Sequence, residues 1–150
     1  MAHTLYVLGF AFTPEGQVCL IEKKRPKWQA GRLNGIGGHV ENGEAAQNAM
    51  QREFYEETSV DIAPEQWKYR GRMHGADWSV FVYTVEHEAV NYACTMTDEE
   101  VYLIDTDLLS GMRDRLIENI EALIQLCLLP DAQPTGYAPR FDLDYNWQIN

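Results

Sequence analysis

Between Leu5 and Phe12 both alternating sets of side chains are apolar, Leu5, Val7, Gly9 and Ala11 on one and Tyr6, Leu8, Phe10 and Phe12 on the other. A strand of this kind is covered on two sides, which predicts a sheet sandwiched by helices. Thr13-Pro14-Glu15-Gly16 is turn chemistry and Val18 to Ile21 reads as a second strand, so the chain is expected to open with a hairpin. Trp67 to Met73, Trp78 to Val85 and Val101 to Ile104 are further strand candidates. Helices are expected over Glu44 to Thr58 and over Arg113 to Leu129, where Leu116, Ile117, Ile120, Leu123, Ile124 and Cys127 recur at helical spacing as a core stripe. Gln29 to Gly43, with Gly31, Gly35, Gly37, Gly38 and Gly43, reads as a loop too rich in glycine to be a passive connection.

The 150 residues suit one domain, and no repeat, low-complexity tract or internal boundary interrupts them. No run reaches the ~18 uncharged apolar residues of a membrane span, and Met1 to Phe12 lacks the marks of a signal peptide, so a soluble, cytoplasmic protein is expected. Cys19, Cys94 and Cys127 are odd in number and widely spaced, and read as reduced core residues. The net charge of −11 is uneven: residues 1–75 hold nine acids and nine bases, residues 76–150 fourteen acids and three bases. That surface repels long nucleic acid but leaves room for a small anion bound through a metal. The one basic cluster, Lys23, Lys24, Arg25, Lys27 and Arg32, is either a solvated loop or faces a phosphate.

The first helix carries the chemistry. At ~100° per residue from Ala45, Ala45, Ala46 and Ala49 fall near ~0°, ~100° and ~40°, and Glu53, Glu56 and Glu57 near ~80°, ~20° and ~120°. The three acids therefore continue the apolar stripe, while Gln47, Asn48, Gln51, Arg52 and Thr58 are expected on the other side. Acids in a last turn also oppose the helix dipole, which argues against a merely solvated helix end. Carboxylates ~5 Å apart repel by about 3 kcal/mol per pair at an effective dielectric of ~20, so three facing inward need a counter-charge. All-oxygen ligation selects a hard divalent ion, Mg²⁺ or Mn²⁺. With preceding glycines that offer carbonyls to an ion or amides to a phosphate, the combination points to metal-assisted hydrolysis of a phosphate ester or anhydride.

Gly38-x5-Glu44-x7-Arg52-Glu53-Phe54-Tyr55-Glu56-Glu57-Thr58-Ser59-Val60 resembles the Nudix box, GX5EX7REUXEEXGU, over 23 residues. The resemblance implies an α/β/α sandwich with a mixed sheet. It implies further that Glu56 and Glu57 bind Mg²⁺ with the Gly37 carbonyl, that Glu53 binds metal or orients the attacking water, and that Arg52 and Glu44 brace loop and helix. Ser59 departs from the pattern, standing where the family has Gly at the expected helix end. Arg32 to Gly38 is similar to the stretch before the box in the MutT-like, oxidised-purine nucleoside triphosphatase branch, where an Asn matching Asn34 contacts the base. Asn34 reads equally as a turn residue. Branches acting on ADP-ribose or diadenosine polyphosphates often carry a Pro about sixteen, or a Tyr about seventeen to eighteen, residues after the box glycine. Here Gly75, Ala76 and Asp77 stand there. Thr97 to Val101 resembles a segment that brings a further acid to the site, so Glu99 first and Glu100 second are candidates for an extra metal ligand or base, against an exposed acidic turn. Trp28 and Trp78 stand either as base-stacking residues or as packing anchors, and His39 takes no catalytic role.

The expected activity is Mg²⁺-dependent cleavage of a nucleoside triphosphate to nucleoside monophosphate and pyrophosphate, with Lys23, Arg25 or Arg32 meeting phosphate. Its alternatives are hydrolysis of another nucleoside diphosphate-linked compound and a non-catalytic nucleotide-binding module, which the intact acids argue against. Finally, Phe141, Leu143, Tyr145, Trp147 and Ile149 alternate with polar residues and predict a terminal strand, which either joins its own sheet or makes a homodimer contact in place of a monomer.

Overall fold

The computed structural model describes residues 3–130 and 139–145. Its strands are β1 (Thr4–Phe12), β2 (Gln17–Glu22), β3 (Leu33–Asn34), β4 (Ile36–His39), β5 (Lys68–His74), β6 (Trp78–Glu86), β7 (Val101–Asp105) and β8 (Phe141–Asp144), with helices α1 (Ala46–Thr58) and α2 (Ile120–Leu128). They form a mixed sheet of order β3-β2-β1-β6-β5-β8, with β4 also on β1 and β7 on β2. The expected double coverage of β1 is what organises the layers. Val7 and Ala11 pack with Ala49, Met50 and Phe54 of α1, whereas Leu8, Phe10 and Phe12 pack with Ile120, Leu123 and Ile124 of α2. β1 runs parallel to β6 over its whole length, and its other edge is shared between β2 and β4, both antiparallel to it.

Four expectations need correction. The glycine-rich stretch from Gln29 to Gly43 is not all loop, since Ile36–His39 pair with Tyr6–Gly9 as β4, and glycine is tolerated there because the strand is held close against β1. A Cβ on Gly37 would lie 2.0 Å from the Val7 carbonyl oxygen. The second helix begins only at Ile120, because Leu116 is extended and bridged to Leu33 and Asn119 sits in the left-handed region at φ 73°. Leu116 and Ile117 still reach the core, from the segment between a 3-10 turn at Arg113–Arg115 and α2. The core face of α1 is Ala49, Met50, Phe54 and Thr58, rotated from the expected stripe. Ala45 is therefore exposed and Thr58 buried, the Thr58 hydroxyl donating to the Phe54 carbonyl at 2.6 Å. Lastly, Cys94 is exposed, while Cys19 and Cys127 are buried as expected.

Ser59 ends α1 at φ 65°, its amide donating to the Tyr55 carbonyl. A side chain costs about 1 kcal/mol in that conformation. Ser59→Gly is therefore expected to raise Tm by roughly 3 °C in a chain of this size. A fall in Tm would mean that the contact between Ser59 Oγ and Cys94 Sγ, at 3.3 Å, outweighs the strain. Residues Phe141–Asp144 join their own sheet, parallel to β5, with Phe141 seated on Gly71, where a Cβ would come within 2.5 Å of it. Trp147 and Ile149 lie outside the described residues. Among the described residues no helix is long and apolar enough to cross a membrane.

Candidate active site

Burial of Ala49, Met50 and Phe54 turns the next positions of α1 toward β4. Gly38 lacks the Cβ that would lie 2.5 Å from Oε1 of Glu53, so the carboxylate rests directly on the strand backbone. Arg52 ties this corner together. Its Nε and Nη2 donate to the two oxygens of Glu44 at 2.9 and 3.0 Å, Nη2 also donates to the His39 carbonyl at 2.9 Å, and Nη1 donates to Glu53 Oε1 at 3.0 Å. Glu44 in turn accepts the Glu41 amide at 3.0 Å. The hydrogen bonds from Arg52 hold the Glu44 carboxyl below the usual carboxylate range, and those same bonds push the Arg52 guanidinium further up. A planar guanidinium with a fork of donors suits this arrangement as a flexible ammonium would not.

Glu53 and Glu57 are in the opposite condition. Burial raises the Glu53 carboxyl against the pull of Arg52. Burial also raises Glu57 to about 7, helped by Glu53, Glu99 and Glu56 and opposed by Lys23. Glu57 Oε2 is buried and has no hydrogen-bond partner, an arrangement that costs stability unless a cation satisfies it. Glu56, one turn from Arg52, is exposed and only loosely held at 3.4 Å. Glu99 is buried and accepts Lys23 Nζ at 3.1 Å and the Lys24 amide at 2.6 Å; these bonds outweigh the effect of burial and lower its carboxyl.

Among the described residues, no three His, Cys, Asp or Glu side chains already stand together as a ligand set. The donors nevertheless fit a hard divalent cation: oxygens only, one of them buried and unsatisfied, on carboxylates that burial and mutual repulsion destabilise.

The structure thus gathers Glu44, Arg52, Glu53, Glu57 and Glu99 with Gly37 and Gly38, and leaves Glu56 at the solvent edge. It does not bring Glu100 there, since that side chain is exposed and accepts the Tyr102 hydroxyl at 2.5 Å. Beside this corner opens a cavity of about 1020 Å³ whose lining includes Lys23, Arg25, Asn34, Gly37 and Gly38. Asn34 is a strand residue in β3 and not a turn residue; its Oδ1 accepts the Gly35 amide at 2.8 Å and its Nδ2 donates to Gln29 Oε1 at 3.3 Å. Lys23 and Arg25 are not bare cations either, because Arg25 makes a bidentate pair with Asp98. Arg32 is exposed and lies outside the cavity lining. Trp28 and Trp78 both line the cavity, Trp28 well exposed. Met73, Asn119 and Tyr145, which also line it, were not legible as part of a site: they are far apart in sequence and meet only in the fold, the Tyr145 hydroxyl touching both Asn119 Nδ2 and Met73 Sδ.

The NUDIX domain profile matches residues 2–120. No curated protein matches the sequence. Among solved structures, MutT from work on Aliivibrio salmonicida and Vibrio cholerae superposes with a TM-score of 0.65 at 17% identity, covering 81% of this chain and 92% of that one. A NUDIX hydrolase from Nitrosomonas europaea gives 0.70 at 13% identity over 97% and 80% of the two chains. A bifunctional NMN adenylyltransferase/ADP ribose pyrophosphatase from Francisella tularensis, complexed with AMP and a manganese ion, gives 0.69 at 16% identity, over 84% of this chain and 41% of that one. These likenesses concern the fold, and the profile match over most of the chain carries the conclusion: the chain belongs to the NUDIX domain family and is a Nudix hydrolase.

Proposed function

We propose that the protein is an Mg²⁺-dependent nucleoside triphosphate pyrophosphohydrolase, releasing a nucleoside monophosphate and pyrophosphate. The observation that carries this reading is the buried, unsatisfied Oε2 of Glu57, near Glu53 and the glycine corner of a large cavity whose lining includes Lys23 and Arg25. Glu53, Glu56, Glu57 and the Gly37 carbonyl would hold the cation, which supplies positive charge to the phosphate chain and favours ionisation of water. Arg52 fixes the direction of Glu53 and, through Glu44 and the His39 carbonyl, the spacing between α1 and β4. Either Glu53 or Glu99 accepts the proton of the attacking water. As the water oxygen bonds to phosphorus, the bridging P–O bond breaks and its electrons leave with pyrophosphate. Lys23 reaches Glu99 from the same loop that meets the cavity, so it is placed to exchange that carboxylate for a phosphate oxygen.

Pyrophosphate release with Mg²⁺ or Mn²⁺, measured over the natural and oxidised nucleoside triphosphates, ADP-ribose and dinucleoside polyphosphates, tests the reading. Cleavage confined to the diphosphate-linked compounds would replace it. The Francisella protein's description as an ADP ribose pyrophosphatase is the reason those compounds belong in the series. Asn34 faces the cavity with its amide already oriented by Gln29 and Gly35, and is proposed to read the base. Asn34→Ala is then expected to shrink the preference between best and worst bases by roughly tenfold, the worth of one good polar contact. An unchanged ranking of substrates would remove Asn34 from recognition.

A further inference from the structure

α2 is short, nine residues, below the ~12 at which a helix begins to hold itself together in water, and it does not cap its own first turn. Asn119, at the N-cap with φ 73°, instead turns its side chain to the Tyr145 hydroxyl, Nδ2 donating at 3.4 Å. At the other end the carbonyls that a last turn leaves over are met by Arg140, whose Nη1 donates to Leu126 at 3.2 Å, to Cys127 at 2.9 Å and to Leu129. A guanidinium there also offsets the negative end of the helix dipole. Both ends of α2 are thus held by one segment, residues 140–145, which runs antiparallel to the helix. The lengths match: nine residues at ~1.5 Å rise span about 13 Å, and the extended segment at ~3.3 Å per residue about 16 Å.

The segment is itself fastened to the sheet. The Arg140 amide donates to the Arg70 carbonyl at 2.7 Å and the Tyr145 amide to the His74 carbonyl at 2.9 Å. Between them Phe141 and Leu143 join the core beneath α2, while Asp142 accepts from Arg72 Nη2 at 3.2 Å and lies 3.0 Å from His74 Nε2. What this arrangement holds in place is a wall of the cavity. Ile117, Glu118, Asn119, Ile120 and Leu123 line it, and the Ile117 amide donates to the Leu33 carbonyl at 2.9 Å, next to Asn34. Glu53 and Glu57 stand on α1, across the sheet from α2. The NUDIX profile match stops at residue 120, the first of α2.

We propose that residues 140–145 are a clip that sets the position of α2 as a wall of the substrate cavity, with Arg140 as the positioning residue, so that docking of the clip and binding of substrate favour each other while the carboxylates of α1 act independently of it. The effect on binding rests on the nucleotide reading above, and hydrogen exchange without ligand keeps the two claims apart. In the ligand-free protein Arg140→Ala is expected to speed amide exchange by about tenfold at Ile117, Ile120 and Leu123, which donate to the Leu33, Ile117 and Asn119 carbonyls, and to leave Val40 and Ser59, near the α1 corner, within about twofold. Titration calorimetry with a nucleoside monophosphate is expected to show Kd raised by about tenfold, with KM for the triphosphate raised alike and kcat within about twofold, the scale of a coupling between two sites. Arg140→Lys keeps the charge and three donors for the carbonyls, and should return Kd to within about threefold of wild type. Unchanged exchange at the three amides, equal acceleration at Val40 and Ser59, faster exchange with unchanged Kd, or a fall in kcat in place of the rise in KM would overturn the proposal. If Arg140→Ala shows an unfolded circular dichroism spectrum, Tyr145→Phe, which removes only the hydroxyl that Asn119 meets, decides by the same criteria with about threefold in place of tenfold. A wild-type protein that binds no nucleoside monophosphate and cleaves no triphosphate would overturn the proposed activity, and the exchange pattern alone would then decide the clip.

Discussion

Glu57→Gln is expected to lower pyrophosphate release by at least 10²-fold and, in EDTA, to make the protein more stable. The first effect follows from removing a charged oxygen where negative charge is to be offset in the transition state. The second follows from linkage. Burial raises the folded-state carboxyl to about 7, above the ordinary 4.5 of an unfolded chain, so the folded protein binds the proton more tightly. Metal-free stability therefore falls as pH rises from about 4.5 through about 7, and above that the ionised, unsatisfied side chain costs on the order of 3 kcal/mol. Gln cannot ionise, so the variant should lose this pH dependence and melt several degrees above wild type at pH 8. Thermal melts in EDTA at pH 5 and pH 8 check both statements. Wild-type turnover would remove Glu57 from the cation site, and a lower Tm at pH 8 would make it a structural partner.

Arg52→Ala is the second large effect. Four acceptors, the Glu44 carboxylate, Glu53, Glu56 and the His39 carbonyl, lose their common donor. Glu53 is left half-buried beside Glu56 and Glu57 with no cation between them, at a cost of about 2 kcal/mol for a partly exposed network. Turnover should fall by about 10²-fold, because Glu53 is no longer aimed and α1 is no longer tied to β4. Arg52→Lys should recover part of the stability and little of the activity, since one ammonium cannot serve Glu44 and Glu53 together. A lysine variant with full activity would show that charge alone, and not the fork, is required.

What could be read before folding was local. The two-sided apolarity of β1, the opening hairpin and the acid-bearing helix each announce themselves within a dozen residues, and the family resemblance carried by Gly38 to Val60 implied the bracing of loop and helix by Glu44 and Arg52. Two errors share one cause. The stripe through Ala45, Ala46 and Ala49 was drawn from small residues, whereas the bulk of Met50 and Phe54 decides which way α1 turns, and Thr58 is carried inward by bonding its hydroxyl to the preceding turn. Likewise the glycines of β4 looked like loop because the reason for them, close approach to β1, is a tertiary contact. The pairing of Lys23 with Glu99 joins residues 76 positions apart, and nothing in either segment names its partner.

Since β1 pairs along its whole length with β6, Thr4 opposite Trp78 and Phe12 opposite Glu86, its partner leaves the ribosome some seventy residues after it. During that interval a nascent strand that is apolar on both faces has only the β2 hairpin and β4 to lie against, and its remaining edge can pair with whatever segment it meets. Folding of this chain is thereby tied to translation speed: a slow stretch of synthesis between β4 and β6 lengthens the exposure, and dense expression multiplies the chance that two unfinished chains join through β1. The parallel pairing that gives the finished sheet its centre is, in the unfinished chain, a contact that closes late and at a large entropic cost.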